Sequence, residues 1–123
     1  MKVIHTDNAP KALGPYSQAI AAPPFLFISG QGGIDPKSGK LADGLEAQAE
    51  LLMKNIKEIL ASAGSSYDKV VKVTCFLTEM TDFAAFNAIY EKYFVSKPAR
   101  SCIAAKQLPL GMLCEIEVIA LID

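Results

Sequence analysis

Apolar and polar positions change period several times along the chain, and each change marks an element. Ser17 to Ala22 and Phe25 to Ser29, on either side of Pro23-Pro24, are short apolar runs that predict two strands, with Met1 to Thr6 as a further short edge strand. From Asp43 the pattern becomes helical, because Leu45, Ala49, Leu52, Ile56, Ile59, Leu60 and Ala63 fall on one face. Asp43 with Glu46 three residues on suggests a capping box, and Gly64 sits where such a helix stops. Val70 to Leu77 is β-branched and predicts a buried strand. Thr81 or Asp82 then caps a second helix that carries Phe83, Phe86, Ile89, Tyr90, Tyr93 and Phe94. Two strands close the chain, Arg100 to Lys106 and Leu113 to Leu121, joined by Gln107-Leu108-Pro109-Leu110-Gly111 and expected to form a hairpin. The order β-β-α-β-α-β-β predicts an α+β fold over residues 1–123, a single-layer mixed sheet with both helices on one face.

The last strand sharpens this expectation. Cys114, Ile116, Val118 and Ala120 form one apolar face that should meet the helices, whereas Leu113, Glu115, Glu117, Ile119 and Leu121 form a mixed one. With Val71 and Val73 assigned to the same mixed side, that side is too apolar to stay in water, which predicts a covering subunit.

Composition narrows the function classes. The 123 residues are 51% hydrophobic and 20% charged, too apolar for disorder, and no apolar run reaches the roughly 20 residues of a membrane helix. The net charge of −1 comes from scattered groups, so the basic stripe of a nucleic-acid binder is missing and a nucleic-acid partner is not expected. Cys75, Cys102 and Cys114 lack a C-x-x-C spacing and sit in strand-like segments, which reads as free thiols of a reducing compartment. No secretory or organellar leader is evident, and a cytoplasmic protein is expected.

Several residues imitate chemistry. Gly30-Gln31-Gly32-Gly33 and Ser38-Gly39-Lys40 miss the spacing and the hydroxyl of a phosphate loop, so a glycine-rich turn is the better reading. His5, the sole histidine, makes neither a His-rich metal site nor a Ser-His-Asp triad. The aromatic stripe of the second helix has core spacing, and no cysteine is flanked by a histidine or lysine that would activate it. Arg100 differs, since Pro98-Ala99-Arg100-Ser101-Cys102 places it at the start of a strand where a rigid backbone aims it. With Ser101, Ile103 and Ala105 on the core side of a hairpin, Arg100 and Cys102 would share the mixed face with Glu115 and Glu117. Such a group is either an interface salt bridge or a pocket in which arginine holds a carboxylate and a glutamate moves a proton.

Asn8-Ala9-Pro10, Gly14-Pro15-Tyr16-Ser17-Gln18-Ala19, Ile28-Ser29-Gly30-Gln31, Phe86-Asn87-Ala88-Ile89-Tyr90, Pro98 to Cys102 and Cys114-Glu115-Ile116-Glu117 together resemble the reactive intermediate deaminase (RidA, or YjgF) family from end to end. The resemblance implies a fold of the bacterial chorismate mutase type and a homotrimer with pockets between subunits. It also implies cofactor-free hydrolysis of 2-imino or enamino acids, such as 2-aminoacrylate, 2-iminopropanoate and 2-iminobutanoate, to 2-keto acids and ammonia. By motif, Arg100 matches the arginine that grips the substrate carboxylate and Glu115 the residue that positions water. Tyr16, Ser29, Gly30 and Asn87 match pocket-lining positions, and the backbone of Cys102 matches one facing the imine nitrogen. No metal is implied. One departure is that only Val95, Ser96 and Lys97 separate Phe94 from Pro98, where relatives usually carry a longer connection, and this bears on pocket shape. Two rival readings are an endoribonuclease or translation inhibitor, a label some members have received, and a non-catalytic trimer that binds small carboxylates.

Overall fold

The computed structural model describes residues 1–123. In chain order the elements are β1 (Lys2–Ile4), β2 (Ala19–Ala22), β3 (Phe25–Gln31), α1 (Leu45–Ser62), β4 (Val70–Leu77), α2 (Phe83–Tyr93), β5 (Ala99–Ala104) and β6 (Cys114–Leu121). The strands form one sheet in the order β1-β2-β3-β6-β4-β5, antiparallel throughout except for the parallel β4–β5 pair. Helix periodicity and strand alternation thus lead to the expected α+β layer.

The helix-facing side of the sheet is built from Val73, Cys75 and Leu77 of β4, which pair with Val118, Ile116 and Cys114 of β6. With Leu52, Met53, Ile56, Ile59 and Leu60 of α1 and Phe86 and Tyr90 of α2 they form a single buried cluster of 25 residues. Each large aliphatic side chain buried there stabilises the fold by about 1.5–3 kcal/mol relative to leaving it in water. Val73 therefore belongs to the core and not to the mixed face, because register with Val118 points it at the helices. Val71 does lie on the open side, where an irregularity between Val70 and Lys72 turns it outward. Phe25, Phe27, Val71, Ile103 and Leu121 are all exposed apolar residues.

The terminal strands depart most from expectation. β5 and β6 are not a hairpin, since β4 lies between them and β5 pairs only with β4. A strand that follows a helix can join its predecessor in parallel, and α2 supplies the crossover that makes this possible. The helix starts are also plainer than expected. Gly44 occupies the N-cap of α1 and Asp82 that of α2, and neither end has a side-chain cap hydrogen bond, so Asp43, Glu46 and Thr81 do not cap. Gly64 does terminate α1, with φ 74°, and Ser65 N donates to Leu60 O.

Buried polar side chains tie the loops to this frame. Gln18 in the approach to β2 accepts from Thr6 N through Oε1 and donates through Nε2 to the carbonyls of Thr6, Ala9 and Pro10. From α1, Asn55 Nδ2 donates to Gly32 O and Ile34 O, and Gln48 Oε1 accepts from Leu113 N at 2.8 Å. Between them Gly33 lies directly against α1, where an added Cβ would be 2.4 Å from Gln48 O and 2.5 Å from Gln48 Cα. Both atoms are helix backbone and have nowhere to move. Gly33→Ala is expected to lower unfolding free energy by about 2 kcal/mol or more, as for overpacked interiors. Urea denaturation of the two proteins measures this directly, and equal midpoints would mean that α1 and the 32–34 loop are not held this closely.

Candidate functional site

The residues singled out in the sequence gather in two places, one on each side of the sheet. On the open side, Glu115 of β6 pairs with Phe76 and its side chain lies across Gly30 of the neighbouring β3. A Cβ at position 30 would fall 2.0 Å from Glu115 Oε2, so only glycine lets the carboxylate settle there. Tyr16, Ser29, Gly30, Pro109 and Glu115 line a shallow hollow. Ser29 is anchored, its hydroxyl donating to Ser17 O at 2.6 Å and its N–H to Gln18 O at 3.0 Å. Tyr16 Oη accepts from Leu13 N at 3.2 Å, which fixes the ring beside Glu115. Burial is the first cause that lifts the Glu115 carboxyl above the ordinary glutamate value, and the charge of Glu117 adds to it.

On the helix side, Arg100 is the second residue of β5 and lies opposite Val73 of β4. It is the only arginine of the chain. Its Nη1 donates to Asn87 Oδ1 at 2.7 Å, and its guanidinium carbon stands 4.6 Å above the Tyr90 ring and 5.6 Å from that of Phe83. Asn87 and Tyr90 are three residues apart on α2, so one helix face presents both. Tyr90 is itself stacked on Phe94 at 4.3 Å, which gives the cation a rigid floor. No carboxylate pairs with Arg100, the three ion pairs of the structure being His5–Asp7, Lys69–Asp123 and Lys92–Glu50. A half-buried guanidinium with most of its donor fork unused is set up to receive an anion.

Cys102 lies beside Cys75 across the β4–β5 pair. Burial raises the Cys102 thiol above its ordinary value against the pull of Arg100, and it pushes the Cys75 thiol up to about 12. Neither is an activated thiolate at neutral pH.

The arrangement corrects the expectation that Arg100, Cys102, Glu115 and Glu117 share one face. Register places Arg100 and Cys102 level with Val73 and Cys75, toward the helices, while Ser101 and Ile103 are exposed on the other side. Glu115 and Glu117 pair with Phe76 and Thr74, the alternate set. With β4 between β5 and β6, the two strands run about 9 to 10 Å apart and their site residues leave opposite surfaces. Sequence spacing marks Tyr90 and Phe83 only as packing residues, and Pro109 only as part of a connection. The signal that reveals Tyr90 is its i+3 spacing from Asn87, which becomes informative once α2 is known to cover β5.

The decoys resolve simply. The 35–40 turn closes on Asp35, whose Oδ1 accepts from Lys37 N at 2.7 Å and Ser38 N at 3.2 Å, so its N–H groups already hold an anion of the chain. Backbone hydrogen bonds from Lys37 and then Ser38 accordingly lower the Asp35 carboxyl from its ordinary value. His5 is exposed and bonded to Asp7 at 3.0 Å. No group of three or more His, Cys, Asp or Glu side chains is placed to hold a metal ion, and no helix is long and apolar enough to cross a membrane.

Comparison with known proteins extends the geometry. A RutC family protein of Pyrococcus horikoshii is 51% identical over 121 residues, covering 97% of this chain and 96% of that one. The mouse protein named 2-iminobutanoate/2-iminopropanoate deaminase is 47% identical over 121 residues, with 97% and 90% covered. The crystal structure of RidA from an Antarctic Psychrobacter superposes with a TM-score of 0.96 at 41% identity, covering 99% of this chain and 100% of that one. Residues 6–122 match the family described as Endoribonuclease L-PSP, and on this match, these identities and the shared fold the chain belongs to that family, the one that includes the RidA and RutC proteins.

Proposed function

We propose that this protein hydrolyses 2-imino acids, and their enamino tautomers, to 2-keto acids and ammonia. The observation that carries the reading is Arg100, a half-buried, rigidly mounted guanidinium with no carboxylate partner in its own chain. An α-carboxylate fits its free donors as a bidentate pair. The second requirement is a base, and Glu115 is a desolvated carboxyl whose raised value suits proton transfer. An imine carbon is already electrophilic. Water adds to it as Glu115 takes a proton, the resulting carbinolamine nitrogen is protonated and leaves as ammonia, and the carbonyl forms. Tyr16, Ser29 and Gly30 line the hollow at Glu115, Asn87 orients Arg100, and the Cys102 backbone takes the place that the family resemblance gives it, facing the imine nitrogen. The mouse relative's name supports this chemistry.

Because Arg100 and Glu115 leave opposite sides of one sheet, we propose further that each site joins the Arg100 side of one protomer to the Glu115 side of the next in a homotrimer. The exposed Phe25, Phe27, Val71, Ile103 and Leu121 supply an apolar surface for that assembly. Members of a ring meet head to tail, which is the geometry that pairs unlike surfaces.

Substitution tests both parts. Arg100→Lys keeps the charge but loses the fork, and kcat/KM for 2-aminoacrylate generated in situ should fall by about 30-fold to several thousand-fold. Glu115→Gln should lower kcat by about 100- to 10,000-fold. Co-expressing the two inactive variants in equal amounts should restore activity to about one quarter of the wild-type sites, since each site then draws one intact residue from each of two protomers. No recovery in mixed oligomers would locate the whole site within one chain. An RNA-cleaving activity that survives both substitutions, with no imine hydrolysis by the wild type, would instead support the endoribonuclease description of the family.

The raised Glu115 value also sets the pH response. Activity needs its carboxylate, so the acid limb of kcat/KM should have an apparent pKa above 4.5. Glu117→Gln removes the second cause of the shift and should move that limb toward lower pH. Stability runs the opposite way. A carboxyl easier to protonate when folded contributes stability that is present below pH 4.5 and is lost as pH rises through its folded value. Glu115→Gln should therefore stabilise the fold at neutral pH, which thermal denaturation at pH 7 measures. A lower melting temperature would show that Glu115 is a structural charge.

A further inference from the structure

Beside Glu115 a cavity of about 270 Å³ runs from the hollow toward the 10–13 segment and the connection before β6. Its apolar wall is made by Leu13, Ile34, Pro109, Leu110 and Met112, and Gly30 and Gly32 leave its floor open. Two of these residues are in places that stability does not favour. Leu13 and Leu110 are 64% and 61% exposed although both are large and apolar. Leu110 moreover has φ 60° and ψ 19°, the left-handed region in which leucine is strained and asparagine or glycine is at ease. A strained, exposed leucine is best explained by what it faces. Met112, buried with its flexible thioether against Gly32, gives the inner end an adaptable surface.

We infer that this cavity is the subsite for the substrate's side chain and that it selects 2-imino acids with aliphatic chains of about four carbons over those with one or two. The inference rests on the imine-hydrolase reading, because Glu115 and Tyr16 are shared between the hollow and the cavity. A substrate held with its reacting carbon at Glu115 directs its side chain along the apolar wall. A methyl or ethyl group leaves most of the cavity unfilled, whereas an isobutyl chain covers Leu13 and Leu110 and takes their surface out of water. Lys11 also lines the cavity and is exposed, so the charged alternative is a chain ending in a carboxylate.

The experiment compares imino acids generated in situ from alanine, leucine and glutamate by an amino-acid oxidase with catalase present, following imine loss against semicarbazide trapping. Removing one methylene from water is worth about fourfold, so three extra carbons allow a gain of up to about 60-fold. The expected ratio of kcat/KM for the leucine-derived to the alanine-derived imine is about 10 to 60, the open mouth accounting for the lower end. Leu110→Asn suits the left-handed backbone and removes the apolar wall, and it should cut that ratio at least fourfold while leaving the melting temperature equal or higher. A wild-type ratio near one, a preference for the glutamate-derived imine, or a ratio unmoved by Leu110→Asn overturns the subsite. Hydrolysis of none of the three imines overturns the imine-hydrolase reading itself, a result distinct from hydrolysis without discrimination.

Discussion

The parallel pairing of β5 with β4 is the constraint on which the rest of the molecule depends. β4 leads into α2, and α2 must cross the sheet before the chain can lay down a parallel neighbour. The crossover sends β5 to the outer edge and keeps β4 between it and β6. It also lays α2 along β5, so the first residue to emerge under the helix meets Asn87, Tyr90 and Phe83. Without the crossover Arg100 would have no aromatic floor and no amide partner, and its side chain would sample many rotamers instead of one. The short Val95–Lys97 connection, closed by Lys97 N donating to Phe94 O at 3.1 Å, brings β5 back immediately after the helix ends.

The two sides of the sheet hold ionisable groups in different ways. Arg100 is held by an aromatic face and a neutral amide, neither of which pairs its charge. Glu115 is held where burial and a second glutamate work against its charge. One side thus offers a permanent cation without a carboxylate partner, the other a carboxyl that readily takes up a proton. A cation without a partner on one side and a desolvated carboxyl on the other are each completed by a group from outside the chain, which is the physical case for reading the two sides as complementary surfaces.

Polar residues of the interior connect stability to the site. Gln18 gathers the 6–10 segment that leads to Tyr16, while Asn55 and Gln48 of α1 fix the 32–34 loop and Leu113 on either side of Glu115. These three amides are nearly fully buried, and each satisfies loop backbone groups that would otherwise be left unpaired. The loops around the cavity are therefore positioned by the rigid helix and sheet beneath them.

Periodicity by itself determined that this chain makes two helices and a sheet, which residues of β6 face the core, and that the sheet has an apolar open side, because those properties follow from side-chain spacing along one element. Its place at a strand start singled out Arg100, alternation grouped it with Cys102 and Glu115, and motif resemblance added Tyr16, Ser29, Gly30 and Asn87. Which of these come together was decided only by the tertiary structure. The Gln107–Gly111 connection reads as a hairpin turn, yet β6 passes over β5 to pair with β4 and β3, since hydrogen-bond partners between strands are set by the global packing of the sheet and leave no trace in local spacing. That one change of neighbour moved Arg100 from the face of Glu115 to the opposite face. For the same reason Tyr90 looked like any core aromatic: its spacing on α2 says that it is buried, and only the crossover says that it lies beneath a guanidinium.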